Sequence, residues 1–65
     1  MTIVLNGVAA SVNARMLDRV IAELGYGGAK VATAVNGEFV SSAARAGTEL
    51  SEGDRLEVIA PLQGG

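Results

Sequence analysis

Two Asn-Gly dipeptides, at 6–7 and 36–37, each stand between short runs of aliphatic residues, and they restrict the fold more than any other feature of the chain. Asn followed by Gly tolerates the two positive φ angles of a type I′ turn, whose twist matches that of the strands it joins. The spacing predicts one hairpin with arms at 2–5 and 8–12, and a second with arms at 31–35 and 38–40. At 65 residues there is room for one domain, which buries only roughly 60% of the surface its unfolded chain exposes. The core has to come from 17 Val, Ile and Leu residues, since 11 of the remaining apolar positions are Ala and the only aromatics are Tyr26 and Phe39. That is enough for one layer of helix on one sheet.

Between the hairpins, Leu17, Val20, Ile21 and Leu24 fall at i, i+3, i+4 and i+7, one apolar stripe of an amphipathic helix. Arg15, Asp18, Arg19 and Glu23 take its wet side. Asn13 is a suitable N-cap and Gly25 a suitable left-handed stop, so the helix is expected over about 14–24. Residues 41–48 are rich in Ala, Ser and Gly without a sustained period and read as a loop with at most one helical turn. A turn at 50–54 then leads into a last strand at 55–60, with Leu56 and Val58 inward and Ile59 outward. Pro61 cannot donate a ladder hydrogen bond and ends that strand.

The first and last strands are the most apolar on both faces, as central neighbours in a sheet are. Placing them side by side and parallel, with the helix across one face, gives an α+β fold of order ββαβββ: a mixed five-stranded β-grasp, or ubiquitin-like, sheet. The helix covers Ile3, Leu5, Leu56 and Val58. Val4 and Ile59 are left on the open face, where an aliphatic pair marks a candidate docking surface. Residues 1–60 form the domain and 61–65 a flexible tail.

Several chemistries are excluded or disfavoured by residue type. The chain has no Cys and no His, hence no disulfide, thiol nucleophile, imidazole base or ordinary zinc site. Seven acids against five bases give a net charge of −2, which disfavours nucleic acid as a partner. The opening run 1–5 lacks a basic flank and breaks at Asn6-Gly7, so neither a signal peptide nor a membrane span is expected, and the chain reads as cytoplasmic. The Gly25–Lys30 stretch follows a helix and enters a strand, the reverse of a phosphate-binding loop, and has Val31 where such a loop carries Ser or Thr. Glu49, Glu52, Asp54 and Glu57 lack metal-ligand spacing and read as turn-forming or solvated, so no metal is expected. An Arg19–Glu23 pair one helical turn apart contributes at most a few tenths of a kcal/mol.

The sequence closes on Leu62-Gln63-Gly64-Gly65. A last strand running into residues without Cβ presents a tail slim enough to enter another protein's active site. With no credible side-chain nucleophile, the α-carboxylate of Gly65 is the best reactive group on the chain, and Gly64 is the slim neighbour that threading requires.

Taken in order, Ile3–Gly7 with its Asn-Gly turn, the Leu17–Leu24 helix, Ala34-Val35-Asn36-Gly37, Leu50 with Gly53-Asp54, and the Gln63-Gly64-Gly65 terminus resemble the ThiS family, sulfur carriers of thiazole formation in thiamin biosynthesis. The departures are Met16, where members often have Thr, and a plain 41–45 segment, where Pro or an aromatic is common. The resemblance implies a protein that is a co-substrate and not an enzyme. A ThiF-like activating enzyme, using Mg and ATP that it and not this chain binds, adenylates the Gly65 carboxylate. Sulfur from a persulfide, supplied in turn by a cysteine desulfurase, converts it to a thiocarboxylate. A ThiG-like thiazole synthase accepts that sulfur. Leu62, Val4, Ile59 and Phe39 are the candidate partner-binding residues, from their inferred outward direction.

Other readings use the same features. A carrier for another sulfur pathway, like the molybdopterin synthase small subunit, and a ubiquitin-like modifier joined to lysines both need the diglycine end. A non-covalent β-grasp module does not, and would lose nothing on deletion of Gly65.

Overall fold

A computed structural model describes residues 1–60. The elements are β1 (Thr2–Leu5), β2 (Val8–Ser11), α1 (Leu17–Glu23), β3 (Ala32–Val35), β4 (Glu38–Val40), a 3₁₀ helix (Ser42–Gly47) and β5 (Arg55–Ile59). One five-stranded sheet runs β2-β1-β5-β3-β4, with β1 and β5 parallel at its centre and antiparallel pairs outside them. This is the mixed β-grasp sheet expected from the apolar strands. Both Asn-Gly turns form as the spacing predicts, with φ of 48° and 85° at Asn6 and Gly7 and 50° and 86° at Asn36 and Gly37.

The core is Ile3, Val12, Leu17, Val20, Ile21, Leu50, Leu56 and Val58, all buried. Three of the four stripe residues of α1 are in it, and Leu24 packs at its margin. Leu5, expected under the helix, is likewise half-buried against the core's edge. Leu50, which the sequence marks only as the start of a turn, is fully buried.

The helix is shorter than expected at its start. It begins at Leu17, and Met16, not Asn13, is the cap, with extended backbone and no side-chain cap bond. Tertiary pairing takes residues 13–16 out of the helix. Met16 bridges Glu49, the Leu50 N–H donates to the Arg15 carbonyl (2.8 Å), and the Leu17 N–H donates to the Thr48 carbonyl (2.8 Å). The Asn13 and Ala14 N–H groups donate instead to the Glu23 carboxylate, at 2.9–3.0 Å. Glu23 therefore ties down the segment leading into the helix. These bonds, Ala14 first, hold its carboxyl below the ordinary value of 4.5.

The loop expected at 41–48 is a 3₁₀ helix of six residues, longer than one turn, and it carries a buried charge, Arg45.

Candidate functional site

Strand alternation and register define which side chains share the open face. In β5, Leu56 and Val58 are buried while Arg55, Glu57 and Ile59 are exposed. Val4 lies opposite Ala9 and Arg55, Ala32 opposite Ile59, and Ala34 opposite both Glu57 and Phe39. All of these are on the face that α1 leaves uncovered.

Phe39 is 73% exposed and Ile59 58%. Phe39 sits beside Ala34, one row from the Ala32–Ile59 pair, so the two large residues and two alanines make one continuous apolar patch across β4, β3 and β5. Val4 is on the same face but apart from it. Four residue steps along β5, about 13 Å at strand rise, separate its partner Arg55 from Ile59, and Glu57 projects between them. Val4 is half-buried and lines a shallow depression with Arg55, Glu57, Asn6 and Gly37. The face thus divides into an apolar half at the end of β5 and a charged half around Val4. Gly65, Gly64 and Leu62 lie outside the described residues.

The turn carboxylates hold backbone in place. Asp54 accepts from the Ser51 N–H (2.8 Å) and from Asn36 Nδ2 (3.1 Å), and Glu52 accepts from the Thr2 N–H (2.9 Å). Among the described residues no cluster of three metal-ligating side chains occurs, and no helix is long and apolar enough to cross a membrane.

Two groups that sequence reasoning passed over matter for this face. The Asn6 and Asn36 side chains, read only as turn formers, bond to β5 itself. Arg45 is packed beneath the sheet's edge. Its signal was present in Thr33, a hydroxyl residue at an inward position between Val31 and Val35, because a buried hydroxyl demands a partner.

A single helix on a mixed sheet with parallel central strands defines the β-grasp class, and an exposed apolar patch lies beside the end of β5. Within that class the chain matches the ThiS family model over residues 3–65, and it belongs to that family, whose members are small sulfur carriers. A thiamine biosynthesis protein (ThiS) from Geobacter metallireducens has a similar solved structure, with 25% identity, a TM-score of 0.82 and 100% of both chains covered. No curated protein matches the chain.

Proposed function

We propose that this chain carries sulfur for thiazole formation in thiamin biosynthesis as a thiocarboxylate on Gly65. The observation that carries the reading is the ThiS-family match, which extends through Gly64 and Gly65. A carboxylate is unreactive toward sulfur nucleophiles because its leaving group is an oxide. An adenylating enzyme of the ThiF type, with Mg-ATP, converts it to an acyl adenylate and releases pyrophosphate. The terminal sulfur of a persulfide then attacks the acyl carbon and AMP departs. Thiol cleavage of the resulting acyl disulfide leaves the thiocarboxylate, and a ThiG-type synthase takes the sulfur and returns the carboxylate. The chain's own part is recognition and presentation: Phe39 and Ile59 supply the apolar contact, Leu62 extends it, Val4 makes a separate contact on the same face, and Gly64 lets the terminus enter the partner's site.

Intact mass tests this directly. After incubation with the activating enzyme, ATP and a persulfide source, the full chain is expected to gain the mass difference of one oxygen-to-sulfur exchange at Gly65, and a chain lacking Gly65 to gain nothing. No gain under conditions that charge an established carrier, or recovery of Gly65 in an isopeptide bond to lysine, overturns the reading.

A further inference from the structure

Arg45 is the one charged side chain that is buried among the described residues, 9% exposed. Its Nε–H donates to Thr33 Oγ1 (3.0 Å) and an Nη2–H to the Val31 carbonyl (2.6 Å), while the Thr33 hydroxyl donates to the Val40 carbonyl (2.8 Å). Both acceptors of the guanidinium are neutral, and they use two of its five donors. Among the described residues Nη1 makes no hydrogen bond, and no side-chain nitrogen or oxygen sealed from solvent lacks a partner, so Nη1 reaches open space. That space is a cleft of about 480 Å³ at the end of the sheet, walled by Val31, Ala32 and Ile59 and also lined by Lys30 and Ser42. Two cations and a hydroxyl line it, and among the described residues no carboxylate does, in a chain whose net charge is −2. A largely buried cation without a counter-charge is costly, and a second cation beside it adds repulsion; one anion between them relieves both.

We propose that this cleft receives an Asp or Glu side chain of the protein that docks on the open face. Arg45 and Lys30 pair its charge, and Ser42 donates to it. The proposal rests on the carrier reading above. Ile59 and Ala32 belong both to the cleft and to the apolar patch, so a partner seated on Phe39 and Ile59 reaches the cleft without a break in contact. The apolar walls fit the methylene stem of an acidic side chain. The two donors already spent leave the guanidinium one free edge, which matches the two oxygens of a single carboxylate.

Two measurements test it. In the isotope-labelled full chain, butyrate should shift the Lys30 and Ser42 amides and the Arg45 Nε resonance in a saturable way, and the neutral butyramide should not. Equal effects of the two, no effect of butyrate, or a response confined to inorganic phosphate overturns the carboxylate assignment. In the second, Lys30→Glu and Ser42→Ala, at exposed positions, should leave the fold intact. Lys30→Glu should weaken affinity for the adenylating enzyme about tenfold and flatten its dependence on salt; unchanged affinity overturns the proposal. If the wild-type chain is charged with sulfur and Lys30→Glu is charged equally well at limiting enzyme, the cleft assignment fails and the carrier reading stands. If the wild type is never charged, the carrier reading itself fails.

Discussion

Asn6 and Asn36 hold β5 from its two sides, Asn6 through both ends of its carboxamide and Asn36 through its side-chain oxygen and its backbone N–H. Where β1 turns away, the Asn6 side chain supplies one more rung: the Val58 N–H donates to Asn6 Oδ1 (2.9 Å) and Asn6 Nδ2 donates to the Val58 carbonyl (3.2 Å). Where β3 turns away, the Arg55 N–H donates to Asn36 Oδ1 (3.0 Å) and the Asn36 N–H donates to the Arg55 carbonyl (2.8 Å). A carboxamide carries a donor and an acceptor, as a peptide unit does, so that of Asn6 replaces the backbone that the turn has removed, while that of Asn36 gives β5 only its acceptor and turns its Nδ2 to Asp54 (3.1 Å). Asp or Gly would also fit the backbone of such a turn, but neither can make both bonds at Val58.

Asn6→Gly keeps a left-handed backbone available and removes only the two bonds to Val58. Urea denaturation should show a loss of about 1–3 kcal/mol with an unchanged slope. An unaltered midpoint means that the carboxamide is replaceable by water.

The Glu23 carboxylate gives a pH dependence of defined sign. Its pKa is lowered in the folded chain by the Ala14 and Asn13 N–H groups, so its contribution is complete above the ordinary value of 4.5 and is lost as pH falls through the lowered folded value. In Glu23→Ala that part of the acid sensitivity should be absent. Parallel stability-against-pH curves for the two proteins below pH 5 would refute the assignment.

Leu50 anchors the 3₁₀ segment to the core with a side chain that is 0% exposed. Leu50→Ala should cost about 2–5 kcal/mol, read from thermal or urea unfolding, because the cavity it leaves cannot fully collapse.

Phe39→Asp and Ile59→Asp place charge on exposed positions and should leave the unfolding midpoint nearly unchanged. Each should weaken binding to the activating enzyme at least about tenfold, measured by calorimetry, since an apolar anchor is replaced by a charge that must be desolvated. Val8→Asp, on an equally exposed residue of the opposite face, serves as the control. Equal effects of all three would remove the open face from the docking surface.

Most of the sheet was legible in the sequence because its signals are local: two Asn-Gly turns set two registers, and the period of Leu17, Val20 and Ile21 set the buried face of the helix. The start of the helix was not legible. Asn13 has good capping chemistry, but the pairing of Met16 with Glu49 and the bond from Leu50 to Arg15 are made by residues more than thirty positions away, and they prevail over the local preference. The burial of Arg45 was hidden for the same reason, since its partners Thr33 and Val31 come from a different part of the chain. Of the candidate site, outward direction was readable from alternation at Ile59 and Phe39. What alternation could not give was distance, and Val4 proves to be remote from both along β5.

The parallel pairing of β1 with β5 also has a mechanical meaning. Tension applied at the start of β1 and beyond the end of β5 loads their shared hydrogen bonds in shear, so they must rupture together, whereas an antiparallel hairpin pulled from its open ends unzips one bond at a time. The rungs added by Asn6 lie in the same loaded line. A partner that grips the chain past β5 thus pulls along the direction in which this domain yields least, and the handle can be worked without unravelling the body to which it is attached.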